Sequence, residues 1–217
     1  MITVGGTSQR LGATLRDRGR PSRDDGRAWL PGSVDEILLR RRSVREFASG
    51  PLPVSQLQAA ATAARNAEAA AWPARSHGTS AFEILVAAFR VDGLPKGMFV
   101  IRDAGQTRLA GPGAARLDSL RGQYADAPAL LLICADLNQA CRAAGAAGYP
   151  STLVRAGTMG YAAWLWAISA GLAGSVYGAP SHRVTEVARQ LDTNLRHLFT
   201  VAIGTPALPV QPLGTGN

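Results

Sequence analysis

The sequence predicts an α+β fold rather than a doubly wound parallel sheet. Helical patterns lie towards both ends of the chain, and strand-like apolar runs lie between them. Two of these runs are joined by a short turn, which predicts that strands adjacent in sequence also pair in space. Helices that are segregated from a series of strands, instead of alternating with them, are typical of α+β domains.

Two short motifs near the N-terminal end predict two helices. Ser33-Val-Asp-Glu36 has the spacing of a capping box and predicts a helix that runs to about Arg41. Ser55-Gln-Leu-Gln58 has the same spacing and predicts a second helix. Because Pro51 and Pro53 lie between the motifs, the two helices cannot be continuous.

The middle of the chain has the composition of β-strands. Phe82–Arg90 is mostly apolar, Val91–Pro95 supplies turn residues, and Gly97–Arg102 alternates as a strand does. Pro128–Ala135 is a continuous apolar run, which predicts a buried strand. We therefore expect a strand pair and, after it, a further strand that is covered on both faces.

The C-terminal third predicts two more helices and a last strand. Arg155–Ala170 is a long apolar stretch that ends at Gly171, and it predicts a central helix. Trp164 on this helix is interpreted as a core residue. Val184–Leu191 predicts a short amphipathic helix, and Leu198–Ile203 predicts a closing strand.

The chain of 217 residues has the length of one domain. We expect an arginine-rich flexible arm at 1–28, a folded domain at 29–206 and a Pro/Gly-rich tail at 207–217. The longest apolar run, near Pro128–Ala135, is far shorter than the roughly 20 residues that a membrane helix requires. No apolar segment follows the first arginines, so a secretory signal is not expected either.

Charge and cysteine content limit the classes of function. The formal net charge is +8, and Lys96 is the only lysine, so nearly all the positive charge is arginine. Aromatic residues do not alternate with these arginines as base stacking would require, which argues against nucleic-acid binding. Cys134 and Cys141 are too few for a disulfide framework or a four-ligand zinc site, so we expect no metal and a cytoplasmic location.

The segment Arg41-Arg42-Ser43-Val44-Arg45 has the clearest chemistry in the chain. Its three guanidinium groups and one hydroxyl can surround a phosphate monoester and reach neighbouring polyol hydroxyls. The alternative is that the arginines complement the dipole at the end of a helix and remain solvated. The residues alone leave both interpretations open.

This segment, continued by Glu46-Phe47, resembles the FMN-binding signature of the nitroreductase superfamily. Gly157–Ala170 with Gly171–Ala179 is similar to the central helix of that family and to the glycine-containing segment beside the flavin. Leu198–Pro206 is similar to the closing strand and turn, so the resemblance covers about residues 30–206. It implies a nitroreductase-like fold with a mainly antiparallel sheet, an FMN cofactor, and a homodimer whose flavin site uses both subunits.

The resemblance also implies roles for individual residues. The FMN phosphate and ribityl chain would be bound by Arg41, Arg42, Ser43 and Arg45. The loop before the first long strand would contact the flavin through Arg75, Ser76 and His77, although this loop agrees poorly with the Pro-Ser-x-Gly pattern of the family.

Gly178 and Ala179 would lie near the reactive edge of the isoalloxazine ring. A small residue there lets a backbone N–H approach N5 or O4 of the flavin. Without the resemblance, Gly178 could equally be a plain turn glycine. His182 and His197 are interpreted as surface or cap histidines.

A hairpin pattern makes the resemblance specific to one group of enzymes within the superfamily. Val91–Asp103, followed by Arg108-Leu109, is similar to a hairpin of SagB/ThcOx-type azoline dehydrogenases. Those enzymes oxidise thiazolines and oxazolines in modified peptides to thiazoles and oxazoles. The resemblance implies a modified precursor peptide as substrate, and other enzymes of the same biosynthesis as further candidate partners.

The chain departs from the azoline dehydrogenase pattern at two places, and the first concerns proton transfer. Those enzymes often have a Lys-Tyr pair before the central helix, and this chain has no lysine there. Tyr149 is the nearest candidate, but an unassisted phenol titrates near 10, and a buried structural tyrosine is the alternative. Gly160-Tyr161 replaces a frequent Gln-Asn pair.

The sequence is compatible with two further functions. The chain could be an NAD(P)H-dependent nitroreductase or flavin reductase. It could also be a flavin-fold protein that has lost its chemistry and acts as a partner in a biosynthetic complex.

Overall fold

The computed structural model describes residues 34–74, 82–110 and 114–207 of the chain. The expected arm at 1–28, Ser33 of the first capping box, the loop residues Arg75–His77 and the end of the expected tail lie outside the described residues.

In chain order, the helices are α1 (Val34–Arg40), α2 (Val54–Ala71), α3 (Ala114–Gln123), α4 (Leu137–Ala144), α5 (Gly148–Ser169) and α6 (His182–Ala188), with a 3₁₀ turn at Gly145–Ala147. The strands are β1 (Leu52–Pro53), β2 (Phe82–Ala88), β3 (Val91–Asp92), β4 (Gly97–Arg102), β5 (Gly105–Arg108), β6 (Ala129–Asp136), β7 (Ala173–Tyr177) and β8 (Leu195–Gly204).

A six-stranded sheet organises the fold. Its strand order is β5-β4-β2-β6-β8-β7, and every neighbouring pair is antiparallel. The short strands β1 and β3 form a separate parallel pair. The prediction of an α+β fold with a mainly antiparallel sheet is therefore confirmed, and β7 is one of the two edge strands.

Helices cover both faces of the sheet. On β6, Leu131 and Ile133 pack in the core that includes α2 and α5, whereas Leu130 and Leu132 pack in the core that includes α3 and α6. All residues of β6 are buried, as its continuous apolar run predicts. Each fully buried leucine or isoleucine contributes about 1.5–3 kcal/mol, so this central strand stabilises both layers.

Helix α5 is longer than its apolar pattern predicts. It begins at Gly148 rather than near Arg155. Pro150 is compatible with the first turn, because an N–H at that position has no partner within the helix. The Thr152 hydroxyl also donates to the Gly148 carbonyl at 2.8 Å. As a result, Tyr149 lies in the first turn of α5 and not in a loop before it.

The capping box predicted at Ser55-Gln-Leu-Gln58 is wrong. Helix α2 already begins at Val54, Pro53 is its N-cap residue, and no side chain caps it. The backbone before the helix is instead held by tertiary contacts, since the Leu52 N–H donates to the Arg90 carbonyl at 3.0 Å. The pairing of β1 with β3 therefore determines where the helix starts.

The observed boundaries of two other elements differ from the predicted boundaries by a few residues. The sixth helix is shifted towards the N-terminus relative to Val184–Leu191, and the last strand extends beyond Leu198–Ile203 at both ends. Six elements had no predicted counterpart: α3, α4, β1, β3, β5 and β7. Within the described ranges, no helix combines the length and apolar character that crossing a membrane requires.

Gly148 permits the close packing of α4 against α5, and we expect Gly148→Ala to destabilise the protein by about 1–3 kcal/mol. An ideal Cβ at this position would lie 2.3 Å from the carbonyl oxygen of Ala140, and a backbone atom cannot move aside as a side chain can. Thermal unfolding followed by circular dichroism measures the effect.

Gly122→Ala is the matched control, because an ideal Cβ on this glycine of α3 meets no atom within 4 Å. That variant should be neutral or slightly more stable, since alanine has the higher helix propensity. Equal melting temperatures for the two variants would contradict the packing argument.

Candidate functional site

The arginine segment after α1 lies along one edge of the sheet. The Val44 N–H donates to the Gly174 carbonyl of β7 at 2.9 Å. The Ala48 N–H donates to the Thr205 carbonyl, also at 2.9 Å, just after β8. The sheet therefore positions residues 41–48, which are not simply the frayed end of a helix.

Arg41 is held against α5. Its guanidinium donates to the Tyr161 hydroxyl at 2.6 Å. It also lies 5.7 Å from the centroid of the Tyr161 ring and 5.8 Å from that of Trp164, within the range of cation–π attraction. A guanidinium has five N–H donors, so these contacts orient Arg41 and leave donors for an anion.

The side chains assigned to phosphate binding are exposed together. The exposed residues are Arg41, Arg42, Ser43 and Arg45. They form a cationic group with a hydroxyl on a backbone that is hydrogen-bonded to the sheet. A phosphate monoester suits this donor set, because arginine binds it through two parallel hydrogen bonds.

Gly178 and Ala179 follow β7 along the same edge. Because the Gly174 carbonyl accepts from Val44, the backbone of Gly174 points away from β8, and alternate residues share that direction. Gly178 follows directly after Tyr177, the last residue of β7. The structure thus brings the arginine segment and the glycine segment to one edge.

The surroundings of Gly178 are open. An ideal Cβ there would meet only Phe199, at 4.0 Å, and Gly178 and Ala179 are both exposed. Their N–H groups are accessible donors at the end of an edge strand. Phe199 also explains Gly160, because a Cβ on Gly160 would lie 2.3 Å from the same ring.

Two buried side chains anchor the backbone after Gly178. The Tyr124 hydroxyl donates to the Ala179 carbonyl at 2.8 Å. The Ser181 N–H donates to Nδ1 of His197 at 2.9 Å. Burial raises the pKa of Tyr124 above its usual value of 10, so its hydroxyl remains a donor at neutral pH.

The interpretation of His197 as a surface or cap histidine is wrong. Its exposed fraction is 1%, and burial lowers its pKa to about 4. Nδ1 accepts from Ser181, so the proton is on Nε2, which donates to the Phe199 carbonyl at 3.0 Å. His182, in contrast, is exposed, with Nδ1 3.2 Å from Glu186.

The buried neutral His197 predicts a loss of stability in mild acid. Its pKa is about 4 in the folded chain and about 6.5 in the unfolded chain, so the unfolded state takes up the proton first as pH falls. The stabilisation is complete above about pH 6.5 and is lost between 6.5 and 4. We expect His197 to remove about 2 kcal/mol of unfolding free energy between pH 7 and pH 5.

Urea denaturation at pH 7 and pH 5 measures this effect. His197→Asn should show a pH dependence smaller by the same amount, because asparagine does not titrate. His182→Asn is the control, since His182 is exposed. Equal pH dependence in the wild type and His197→Asn would contradict the prediction.

Tyr149 is separate from the rest of the site within one chain. Its exposed fraction is 50%. Helix α5 contacts Phe199, and through it the Gly178 region, at Gly160. Gly160 is eleven residues further along the helix, roughly 16 Å at the helical rise. Arg75, Ser76 and His77 lie outside the described residues, so their expected flavin contacts remain predictions.

An open cavity of about 480 Å³ adjoins the glycine segment. It is lined by Gln123, Pro180, Ser181, His182, Arg183 and Glu186. In the part of the chain that the structure describes, no three His, Cys, Asp or Glu side chains converge as a metal site requires. The exposed arginines and hydroxyl at residues 41–45 have the donor set for an organic phosphate.

Comparison with solved structures shows similarity to a candidate nitroreductase of Ralstonia eutropha JMP134, with 20% identity, a TM-score of 0.60, and coverage of 88% of each chain. A candidate nitroreductase of Anabaena variabilis is 18% identical, with a TM-score of 0.61; the match covers 82% of this chain and 40% of that one. A candidate NADH dehydrogenase/NAD(P)H nitroreductase of Parabacteroides distasonis is 18% identical, with a TM-score of 0.50 and coverage of 84% and 92%.

These identities are low, so the structural similarities establish the fold alone. No curated protein matches the sequence. The model of the Nitroreductase family, in contrast, matches residues 38–205, from the end of α1 to the residue after β8. This match spans most of the chain and includes both the arginine segment and the glycine segment, so the chain belongs to the nitroreductase family.

Proposed function

We propose that the protein is an FMN-dependent oxidoreductase whose cofactor lies along the edge formed by β7 and residues 41–48. The observation that carries this proposal is the hydrogen bond from Val44 to Gly174, which attaches the arginine segment to β7, the strand that leads directly to Gly178. When bound, FMN would supply a ring that accepts and releases hydride equivalents.

Two groups of residues would bind FMN, one at its phosphate and one at its ring. Arg41, Arg42, Ser43 and Arg45 bind the phosphate and the adjoining polyol through charge-assisted hydrogen bonds. The Gly178 and Ala179 N–H groups donate to acceptor atoms of the ring. Donors that are already positioned stabilise developing negative charge without reorganisation.

We further propose that the working unit is a homodimer. The large hydrophobic side chains that are exposed in the described part of the chain lie on two helices, α1 and α5, and are Leu38, Leu39, Tyr149, Leu153 and Val154. Apolar side chains grouped in this way on two contacting helices favour an interface with a second copy. Tyr149 would then be available to the site of the partner.

Val154→Arg should shift the protein from dimer to monomer. Val154 has an exposed fraction of 60%, so the change leaves the folded chain intact but places a charge in the proposed interface. We expect the dimer dissociation constant to rise at least roughly a hundredfold, because an unpaired buried charge costs several kcal/mol. Light scattering after size exclusion measures the mass.

Thr107→Arg on β5, at the opposite edge of the sheet, adds the same charge and should leave the dimer unchanged. A wild-type protein that is monomeric at all concentrations would refute the homodimer.

The substrate class that the structural neighbours favour is a nitro compound, reduced at the expense of NAD(P)H. The neighbour from Parabacteroides distasonis is a candidate NADH dehydrogenase/NAD(P)H nitroreductase. This function predicts that a reduced nicotinamide nucleotide bleaches the flavin absorption rapidly in the absence of oxygen.

The second candidate is dehydrogenation of thiazoline or oxazoline rings in a modified precursor peptide. It is favoured by the β4–β5 hairpin, whose register pairs Val100 with Thr107, because the pattern of residues 91–109 resembles that of azoline dehydrogenases. The open cavity beside Pro180 and Arg183 is accessible to a peptide. Tyr149 is the proton-transfer candidate for this reaction, and other enzymes of the biosynthesis are candidate partners.

The first experiment is the visible absorption spectrum of the purified protein, with the released chromophore identified by mass. About one FMN per chain supports the proposed oxidoreductase. Bleaching by NADH then supports the reductase, and conversion of an azoline-bearing peptide supports the dehydrogenase. A colourless protein that refuses added FMN would refute both and favour a partner protein that has lost its chemistry.

A further inference from the structure

Residues 178–181 connect β7 to α6 and depend on a few anchors for their conformation. They belong to neither the sheet ladder nor a helix, and residues 178–180 are exposed. The Ser181 carbonyl accepts from the Thr185 N–H at 3.1 Å in the first turn of α6. Their remaining anchors in the described structure are Tyr124 and His197.

Hydrogen bonds hold both the backbone and the ring of His197. The His197 backbone N–H donates to the Thr185 hydroxyl at 3.1 Å, and the ring Nε2 lies 3.0 Å from both the Phe199 carbonyl and the Thr200 hydroxyl. The ladder between β6 and β8 shifts register here, because Ile133 pairs with Phe199 and Cys134 with His197. Such a bulge re-aims the side chains beside it.

Tyr124 and His197 support each other. The Tyr124 ring lies 5.3 Å from the Tyr177 ring and 6.3 Å from the His197 ring, centroid to centroid. The residues that hold the two ends of the Ala179–Ser181 backbone therefore form one buried cluster. A change at either anchor acts on the same four-residue segment.

The anchors determine which backbone donors remain for a ligand. Pro180 has no N–H, and the Ser181 N–H is taken by His197. The donors left in the segment are those of Gly178 and Ala179. The carbonyl of Ala179, held by Tyr124, fixes the peptide plane that follows these two N–H groups.

We propose that His197 and Tyr124 are positioning residues that hold residues 178–181 so that the Gly178 and Ala179 N–H groups point together at an acceptor of the bound flavin. The inference rests on the proposed FMN site. Negative charge on the flavin increases on reduction, so correctly placed donors bind reduced FMN more tightly than oxidised FMN. Loss of an anchor weakens this preference.

The test is the midpoint potential of bound FMN in the full-length protein. We expect Tyr124→Phe and His197→Ala each to lower the affinity for reduced FMN about tenfold relative to oxidised FMN. For a two-electron couple this ratio corresponds to a potential more negative by about 30 mV. Affinity for oxidised FMN, measured by fluorescence titration, should change less than about threefold.

His197→Asn should restore most of the wild-type ratio, because its Oδ1 can accept from the Ser181 N–H in place of Nδ1. Leu195→Ala, a buried residue of β8, is the control for a general loss of stability and should leave the ratio unchanged. If His197→Ala does not fold, the midpoint potential of Tyr124→Phe alone tests the positioning role, since this variant lacks only one hydroxyl.

The outcomes separate the inference from the function on which it rests. A wild-type protein that binds no FMN overturns the proposed function, and the inference with it. A wild type that binds FMN, with unchanged potentials in Tyr124→Phe and His197→Ala, overturns the positioning role alone. A shift of the same size in Leu195→Ala would also overturn it.

Discussion

Replacing Arg42 and Arg45 together by alanine is expected to weaken FMN binding by a factor of roughly 10² to 10⁴. Each hydrogen bond to a charged group contributes about 1.5–3 kcal/mol, and the double variant removes at least two of them. Both side chains are exposed, and the backbone hydrogen bonds of Val44 and Ala48 that attach this segment to the sheet are retained in the variant. Fluorescence titration with FMN measures the dissociation constant.

The matched control is Arg102→Ala with Arg108→Ala. This pair removes the same two positive charges from β4 and β5, at the opposite edge of the six-stranded sheet. Its FMN affinity should stay within about threefold of the wild type. Equal weakening in both double variants would mean that net charge, and not the arginine segment, governs binding.

Lysine variants at the same positions separate charge from geometry. Arg42→Lys with Arg45→Lys retains both charges but loses the planar fork that binds a phosphate through two hydrogen bonds. We expect an affinity between those of the wild type and the alanine pair. Arg41 is left unchanged in these variants, because its contacts with Tyr161 and Trp164 also support α5.

Glu68→Gln is expected to lower the free energy of unfolding by about 3–5 kcal/mol. Glu68 on α2 accepts from the Arg155 guanidinium on α5, with the Arg155 Nε at 2.8 Å. The two side chains are exposed by only 8% and 12%. The change leaves Arg155 with its charge largely buried, 5.9 Å from the ring centroid of Trp72 and 5.7 Å from that of Phe82.

Urea denaturation monitored by tryptophan fluorescence measures this loss. The control is Glu83→Gln, because the ion pair of Glu83 with Arg102 is far more exposed and should contribute about 0–1 kcal/mol. The double variant Glu68→Leu with Arg155→Met should recover most of the stability, since apolar replacement of a buried pair is often neutral. Equal losses for Glu68→Gln and Glu83→Gln would contradict the assignment.

The sequence by itself determined the fold class and the chemistry of one segment. The apolar runs of β2, β4 and β6 and the long stretch of α5 are local patterns, and local patterns predict element type. The arginine segment could be identified for the same reason, because the four side chains proposed to bind phosphate lie within five consecutive residues. The start of α5 and the start of α2 were misplaced, since contacts with α4 and with β3 determine them.

Tertiary structure decided everything that depends on residues distant in sequence. Arg41 meets Tyr161 across 120 positions, and Glu68 meets Arg155 across 87. His197 was predicted to be a surface histidine because its own segment contains no pattern that predicts the bulge in β8. The segment also does not show that the Ser181 N–H donates to this side chain. The alternation of a strand predicts which face a side chain takes, but burial and hydrogen-bond partners arise only when β7, β8 and α3 pack together.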